Sequence, residues 1–300
     1  MSSDRRSAGR YMRRLEIFWA YVFLTPTLLG LAFFSLGPIV AGLAISFTKW
    51  DIMTPAKWVG LVNYRSLLTD DLFWKSFYNT IYFTIGTVPV GIVISLLLAL
   101  LIDRKLKGIA IFRTVFFLPV VVSTVAAGIL WGWLFNSQCG LINYYLGDIG
   151  LLTPNWLADT AWAMPAVIIM TLWKTVGYNM VIFLAGLQDV PEELYEAASI
   201  DGANWWVKLR HITLPCISPT TLFVIIMSLI NSFQVFDQTY IMTKGGPAHS
   251  TMTLVYYVYE NGFKWFKMGY ASAVSYAFLL IILVLTLLQL KYQNRWVHYR

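Results

Sequence analysis

Long runs of apolar residues follow one another along the chain, without the alternation or the three-to-four spacing of half-buried strands and helices. A helix that crosses about 30 Å of hydrocarbon needs about 20 mostly apolar residues. Six stretches are long enough, and they are residues 17–47, 77–102, 114–135, 162–187, 214–236 and 269–290. The pattern predicts an all-α, polytopic membrane helical bundle with six transmembrane helices.

The first stretch is long for one crossing and too short for two crossings joined by a turn. We interpret residues 17–21 as an interfacial elbow, and we expect Pro26 and Pro38 to bend the remainder. Residues 17–290 then form one transmembrane domain between an N-terminal tail (1–16) and a C-terminal tail (291–300). The connection at 48–76 is rich in turn residues, so we expect it to pack as a cap on the helices.

The placement of basic residues predicts the orientation of the bundle, because cytoplasmic loops carry an excess of Lys and Arg. Fourteen lie in the tails and in the loops after the second and fourth stretches: Arg5, Arg6, Arg10, Arg13, Arg14, Arg104, Lys105, Lys107, Arg113, Lys208, Arg210, Lys291, Arg295 and Arg300. Seven lie in the opposite loops: Lys49, Lys57, Arg65, Lys75, Lys244, Lys264 and Lys267. This bias predicts that both termini are cytoplasmic.

The composition excludes several other classes of protein. Of the 300 residues 58% are hydrophobic and 12% charged, which is about half the charged fraction of a soluble domain. The net charge of +7 is explained by contact with anionic membrane lipid, so no nucleic-acid partner is expected. Cys139 and Cys216 fall in different regions and His211, His249 and His298 are scattered, so we expect neither a disulfide nor a metal site.

The connection at residues 189–215 predicts two short helices that meet at a glycine. Asp189 is placed to cap the first helix, Pro191 suits its first turn, and acidic residues follow where the helix dipole favours negative charge. Asp201 and Gly202 end that helix, because glycine readily takes the left-handed conformation of a helix stop. A second short amphipathic helix then leads into the fifth apolar stretch.

Motif residues in this connection have a distinctive spacing. Glu196-Ala197-Ala198 is followed after three residues by Gly202 and after nine more by Ile212-Thr213-Leu214-Pro215. This spacing, between the fourth and fifth of six predicted helices, resembles the signature loop of bacterial ATP-binding-cassette importer permeases. Other segments resemble the carbohydrate-uptake branch, of the maltose and glycerol-3-phosphate type: Leu24-Thr25-Pro26, Phe117-Leu118-Pro119, Ala185-Gly186-Leu187-Gln188 and Thr243-Lys244-Gly245-Gly246-Pro247.

The resemblance implies that the loop is a coupling helix that docks on a separate ATPase. The implied coupling residues are Glu192, Glu193, Glu196, Ala197, Ala198, Asp201 and Gly202. The implied partners are a sister permease, two ATP-binding-cassette ATPase subunits and an extracytoplasmic solute-binding protein, at the bacterial cytoplasmic (inner) membrane. The chain has no GxxxxGK[ST] phosphate loop. We therefore expect no catalysis and no cofactor on this chain, and ATP with Mg on the partner ATPases.

Polar residues inside two predicted helices are candidates for a substrate cavity, because a charged side chain at the membrane centre costs about 2.5–3.5 kcal/mol. The candidates are Lys174, Tyr178, Asn179, Asn231, Ser232, Phe233, Gln234 and Asp237. Amides and carboxylates bond sugar hydroxyls, aromatic faces stack on sugar rings, and the resemblance places the cavity on these two helices. For each residue alone, helix–helix hydrogen bonding is the alternative interpretation, and Lys174 could also snorkel to the interface.

The solute is left open by the sequence. An uncharged sugar or sugar-like compound, such as an oligosaccharide, a monosaccharide or a glycosyl-polyol, is favoured because Lys174 alone gives the candidate cavity little basic character. A glycerol-3-phosphate or glycerophosphodiester importer permease is the alternative.

A stand-alone secondary transporter would need ion-coupling carboxylates and usually an internal repeat. A membrane enzyme would need a catalytic constellation, and we find neither set of features.

Overall fold

The computed structural model describes residues 2–103, 108–293 and 297, without the side chains of 2–11, 13 and 14. Some residues of the sequence predictions lie outside this description. They are Arg104, Lys105, Lys107, Arg295, His298 and Arg300, together with the side chains of Arg5, Arg6, Arg10, Arg13 and Arg14.

Within the described residues, five helices are long and apolar enough to cross a membrane. They are Leu15–Ser46, Asp71–Ile102, Ala163–Gln188, Ser218–Met242 and Met268–Tyr292. A bent pair, α5 (Ile109–Val121) and α6 (Thr124–Leu134), takes the place of the sixth crossing and turns through 98°. The sequence therefore predicted the all-α bundle and the number of apolar stretches correctly.

The third predicted span, residues 114–135, is wrong as a straight helix. Pro119 lies in the last turn of α5 and cannot donate a helical hydrogen bond. Val122 and Ser123 then take extended backbone conformations, with ψ of 134° and 137°. Two extended residues in succession allow α6 to leave at a steep angle from α5.

The N-terminal helix is continuous through the predicted elbow, so that prediction was also wrong. Residues 17–21 contain neither glycine nor proline, and they lie inside α1 (Ser2–Gly30). A π-helical segment (Leu31–Leu36) joins α1 to α2 (Gly37–Ser46), where the Gly37 N–H bonds to the Ala32 carbonyl five residues back. Pro38 in the first turn of α2 fits this join, because a proline there interrupts no helical hydrogen bond.

Three long helices form the centre of the bundle: α4 (Asp71–Ile102), α8 (Ala163–Gln188) and α12 (Ser218–Phe233). Side-chain hydrogen bonds tie each pair. Ser95 donates to the Val176 carbonyl at 3.0 Å, Asn179 donates to Ser228 at 3.2 Å, and Ser232 donates to Thr84 at 3.1 Å. Large apolar side chains such as Phe83, Met170 and Phe183 fill the space between the helices.

The connections at the end opposite residues 189–215 pack together into what we call the end cap, residues 47–70 and 254–270. The cap contains a hairpin of β1 (Thr48–Lys49) and β2 (Lys57–Trp58), then α3 (Val62–Leu68), α14 (Leu254–Tyr259), a π-helical segment (Glu260–Lys264) and the start of α15 (Met268–Tyr292). The 48–76 connection does cover the helices, although α4 begins inside it at Asp71. A further short helix, α7 (Leu141–Asp148), lies in the 136–161 connection.

Asp70 joins the two parts of the cap. Its Oδ1 caps α4 by accepting from the N–H groups of Leu72 and Phe73 at 2.9 and 3.3 Å, and its Oδ2 accepts from the hydroxyls of Tyr257 and Tyr270. Burial alone would raise the pKa of the Asp70 carboxyl, but these hydrogen bonds together lower it. Burial, with the Asp70 contact, raises the pKa of Tyr257 to about 12, so this hydroxyl stays a donor at neutral pH.

Gly269 provides a test of the cap. A Cβ at this position would lie 1.8 Å from the Thr48 carbonyl oxygen, which belongs to the backbone and cannot move aside alone. We expect Gly269→Ala to destabilise the chain by about 1–3 kcal/mol, measured as a lower melting temperature. The control is Gly132→Ala in α6, which has open space around the new methyl group. Equal melting temperatures for the two variants would contradict this packing.

Asp70 makes the stability of the cap dependent on pH. A carboxyl whose pKa is lowered on folding stabilises the folded state above its unfolded pKa of about 3.9, and this contribution is lost as pH falls through the folded pKa. We expect Asp70→Asn to cost about 1 kcal/mol at neutral pH, because hydrogen bonds to a charged acceptor become neutral ones. Melting curves of both proteins should converge below about pH 4. A constant difference down to pH 3 would contradict the assignment.

Candidate functional site

The 189–215 segment begins differently from the sequence prediction. Asp189 is the C-cap residue of α8, where its N–H bonds to the Ala185 carbonyl at 3.2 Å. Pro191 occupies the N-cap position of α9 (Glu192–Ile200) with an extended ψ of 132°. The prediction that Asp189 caps the next helix was therefore wrong, because α9 begins only at Glu192 and its N-cap position falls on Pro191, two residues after Asp189.

A glycine ends α9 as predicted. Gly202 has φ of +77°, the left-handed conformation that glycine adopts without a Cβ clash. Its N–H bonds to the Ser199 carbonyl at 3.1 Å, and the Ala203 N–H bonds to the Ala198 carbonyl at 2.8 Å. These two bonds form a Schellman motif, which satisfies the last carbonyls of the helix and fixes the direction of the chain that follows.

The second helix leads into the fifth span as predicted, and two contacts hold it to α9. It consists of α10 (Trp205–Lys208), capped by Asn204, a π-helical segment (Leu209–Thr213) and α11 (Leu214–Cys216). The Tyr195 hydroxyl bonds to the Thr213 hydroxyl at 2.9 Å, and Lys208 donates to Ser199 at 2.6 Å. These two side-chain hydrogen bonds and the glycine turn make residues 189–215 one stiff unit.

The predicted coupling residues lie on the outside of this unit. Six of the seven are exposed and Ala198 is half-buried; the exposed ones are Glu192, Glu193, Glu196, Ala197, Asp201 and Gly202. Large apolar side chains next to them are exposed too, with Ile200 at 88% and Trp206 at 70%. Tyr195 and Ile212 instead pack on the bundle core, near Phe183 and Leu187. One face is therefore anchored on the bundle, and the other exposes acidic and apolar groups.

A polar cavity of ≈ 220 Å³ lies among α4, α5, α8 and α12. Five of the eight predicted cavity residues line it, and they are Lys174, Tyr178, Asn179, Asn231 and Ser232. Helix geometry explains the set, because residues three and four apart share a face. On α12 the cavity face is Ser228, Asn231 and Ser232, and on α8 it is Thr171, Lys174, Thr175 and Tyr178.

Phe233, Gln234 and Asp237 do not line the cavity. Phe233 lies off the cavity face of α12, is buried and stacks on Phe278 with ring centroids 6.3 Å apart. Gln234 is the C-cap residue that ends α12, and Asp237 begins α13 (Asp237–Met242) beyond the break. Adjacency in sequence groups them with Asn231, but Phe233 lies on another face of α12, and Gln234 and Asp237 lie at and beyond the break that ends this helix.

Several lining residues were missed by the sequence analysis. They are Phe83, Thr87, Val88, Gly91, Val120, Thr171, Thr175, Ser228, Val235 and Gln238. The three-to-four spacing of Thr171, Thr175 and Tyr178 was a usable signal. The residues that α4 adds to the cavity wall show no such spacing of polar residues in the sequence, because they are mostly apolar.

Lys174 bonds to the protein itself in this structure. Its ammonium donates to the Val122 carbonyl at 2.5 Å, at the C-terminal end of α5 and at the bend before α6. A cation there complements the helix dipole and satisfies a carbonyl that α5 leaves without a helical partner. Nearby, a Cβ on Gly177 would lie 2.0 Å from the Phe116 carbonyl oxygen, so α5 and α8 approach closely.

A multi-pass helical bundle with a polar internal cavity and a stiff loop at one end defines a membrane transport protein. Residues 74–298 match the family described as Binding-protein-dependent transport system inner membrane component. The chain belongs to this family of multi-pass inner-membrane permeases of ATP-binding-cassette importers. The two other classes weighed from the sequence, a stand-alone secondary transporter and a membrane enzyme, are thereby set aside.

Individual relatives can be aligned with this chain over nearly its whole length. The Probable ABC transporter permease protein YesP of Bacillus subtilis (strain 168) is 36% identical over 302 residues, covering 99% of this chain and 97% of that one. The Lactose transport system permease protein LacF of Rhizobium radiobacter is 38% identical over 276 residues, covering 90% and 92%. A bacterial ABC transporter involved in the import of the acidic polysaccharide alginate contains a chain with TM-score 0.84, 25% identity and coverage of 95% and 99%.

The Lys174 contact can be tested by removing its charge. Lys174→Met keeps most of the side-chain volume but leaves the Val122 carbonyl without its donor, and we expect a loss of about 1–3 kcal/mol in stability. The matched control is Lys291→Met, an exposed lysine in the last turn of α15. Melting temperatures of the purified variants measure the difference. A Lys174 variant as stable as the Lys291 variant would contradict a fastening role at the bend.

Proposed function

We propose that this chain is the membrane-spanning subunit that moves a sugar or sugar-like solute into the cell, driven by ATP hydrolysis on separate ATPase subunits. The single observation that carries the proposal is the stiff 189–215 unit, anchored on the bundle by Tyr195 and Ile212 and exposing Glu196, Ile200 and Trp206. ATP and Mg belong to the partner ATPases in this proposal, and the chain itself has no catalytic role.

The dimensions of the segment suit the transmission of force. The nine residues of α9 span about 14 Å, and the glycine turn holds the second helix at a fixed angle to it. Glu196 offers a carboxylate to a basic or polar partner group, and the small side chain of Ala197 permits close approach. When two ATPase subunits close, the unit moves as one body and displaces α8 and α12, between which it is inserted.

The cavity supplies the other half of the proposal. Its amide and hydroxyl groups suit a polyhydroxylated solute, and its one ammonium, Lys174, is engaged by the Val122 carbonyl. Tyr178 and Asn231 are exposed, so the cavity is open on one side, where a sister permease completes the wall. The 189–215 end and both termini then face the cytoplasm, and the end cap faces a solute-binding protein outside.

Relatives give two classes of solute. LacF is named for lactose, and the relative UgpA of Pectobacterium atrosepticum, 35% identical over 284 residues, is named for sn-glycerol-3-phosphate. A phosphate monoester requires several free cations, and the described cavity offers Lys174 alone. A sugar is therefore the better proposal for the cavity, with glycerol-3-phosphate or a glycerophosphodiester as the alternative.

Gly202→Pro tests the coupling role. Proline holds φ near −65° and lacks an N–H, so it cannot adopt φ of +77° or donate to the Ser199 carbonyl. We expect the variant to insert but to lose most of the ATPase stimulation by the loaded binding protein, or to lose the ATPase subunits on purification. Retention of both properties would make the coupling assignment wrong.

The control for this test is Gly60→Pro. Gly60 also has a positive φ, +61°, with open space around a new Cβ, but it lies in the end cap. We expect this variant to retain the ATPase subunits on purification, because its strain falls at the opposite end of the bundle. Loss of the ATPases from both variants would indicate general misfolding and would withdraw support from a specific role of Gly202.

A further inference from the structure

The end cap contains a cavity larger than the one between the central helices. A pocket of ≈ 840 Å³ opens in the end cap, against ≈ 220 Å³ for the cavity near Lys174, and the two share no lining residue. Binding pockets for organic ligands typically measure about 300–1,000 Å³. The cap pocket is therefore large enough for an oligosaccharide, whereas the inner cavity in this conformation is smaller than such sites.

Three lysines line this pocket without a carboxylate partner. Lys49, Lys57 and Lys267 are exposed, and within residues 2–103 and 108–293 none of them forms an ion pair. The carboxylates of the lining are already engaged. Asp51 accepts from Thr54 at 2.8 and 2.7 Å, and Asp70 accepts from tyrosine hydroxyls and backbone N–H groups. The lining therefore carries three ammonium groups against two carboxylates that are occupied by hydrogen bonds, a net positive charge.

Two of these cations oppose each other in the hairpin. Lys49 and Lys57 are direct cross-strand partners in the antiparallel pair of β1 and β2, so their side chains leave the same face with Cβ atoms about 4.5–5.5 Å apart. Like charges in this arrangement are destabilising. An anion held between the two ammonium groups removes the repulsion, which makes the pair a feature expected of a binding site.

The remaining lining suits a sugar ring. Trp50 and Trp265 offer flat apolar faces, with the Lys267 ammonium 5.6 Å from the ring centroid of Trp265. Asn261 is 1% exposed, and its side-chain amide donates to the Tyr257 carbonyl at 2.9 Å. The Asp70 contacts to Tyr257 and Tyr270 fix the wall in place.

We infer that the cap pocket is a second solute site that binds an anionic saccharide. Lys49, Lys57 and Lys267 bind its carboxylate groups, and Trp50 and Trp265 stack on its rings. The inference rests on the proposed function and goes beyond it, because it places a holding site for acidic oligosaccharides in the end cap, between the binding protein and the inner cavity. A phospholipid headgroup is disfavoured, because the described lining reaches no deeper into the spans than Asp70 and Tyr270 and offers no groove for acyl chains.

The test uses the assembled permease and ATPase subunits in phosphatidylcholine nanodiscs, without the binding protein. Calorimetric titration compares a mannuronate trisaccharide with maltotriose, its neutral counterpart, and with inorganic phosphate. We expect the acidic trisaccharide to bind the wild type about tenfold or more tightly than either competitor, since hydrogen bonds to charged groups are the stronger ones. Maltotriose or phosphate binding equally well to the wild type would overturn the inference without any variant.

Variants then locate the site. Lys57→Gln should weaken binding of the acidic trisaccharide about tenfold and raise the melting temperature of the unliganded complex, because it removes the opposed charge. A merely structural lysine would not produce these opposite effects. Trp265→Leu should weaken binding as well, and Lys291→Gln, with the same charge change at the other end of the chain, should alter neither property.

Three outcomes would overturn the inference. The first is that binding depends on Asn231, in the inner cavity, and not on Lys57. The second is that Lys57→Gln changes only the affinity for the loaded binding protein, which would make the lysines a docking contact. The third is that trisaccharide binding is absent while, in nanodiscs prepared with added phosphatidylglycerol, Lys57→Gln reduces retention of that lipid, which would assign the pocket to lipid.

The proposed function is checked separately in the same preparation. Stimulation of ATP hydrolysis by the loaded binding protein reports on importer function, whatever the pocket binds. If stimulation is present and the wild-type pocket ignores the acidic trisaccharide, the second site alone is wrong. If stimulation is absent from the wild type, the importer proposal itself fails.

Discussion

Polar groups taken into a membrane bundle must find their hydrogen-bond partners inside it, because lipid offers none. In this chain the requirement fixes how the central helices meet. Ser95 reaches the backbone of α8, Asn179 reaches Ser228, and Ser232 reaches Thr84. These contacts tie α4, α8 and α12 together and leave a polar cavity between them. The same groups that align the helices therefore also line, or lie next to, the space through which a solute would pass.

The parts of the structure that follow from local sequence were predictable. Apolar runs of sufficient length identified the helices, and the left-handed stop at Gly202 followed from the chemistry of glycine. The capping of α9 was misjudged because the helix begins at Glu192, so the cap position falls on Pro191 and not on the acidic Asp189 that cap preferences favour. The two hydrogen bonds that Tyr195 and Lys208 form within the loop depend on the path of the chain after the turn. No rule of sequence spacing predicts them.

The parts that depend on contacts between distant segments were not predictable. The 98° turn between α5 and α6 is held by Lys174, which is 52 residues from Val122. Lys174 had been noted for the cost of its charge in the membrane, but its partner is a backbone carbonyl, which carries no signature in sequence. The contribution of α4 to the cavity was invisible for a similar reason, since apolar lining residues look like any others in an apolar helix.

The interruption between α12 and α13, at residues 234–236, changes the mechanics of the fifth span. A continuous helix bends only by distorting several backbone hydrogen bonds at once, whereas a helix that stops and restarts has none of these bonds across the gap. Here the Val235 carbonyl accepts from the Thr253 hydroxyl at 2.8 Å instead of from a helical N–H. Val235 also lines the inner cavity. The fifth span can therefore bend at the cavity wall without the loss of a helical hydrogen bond.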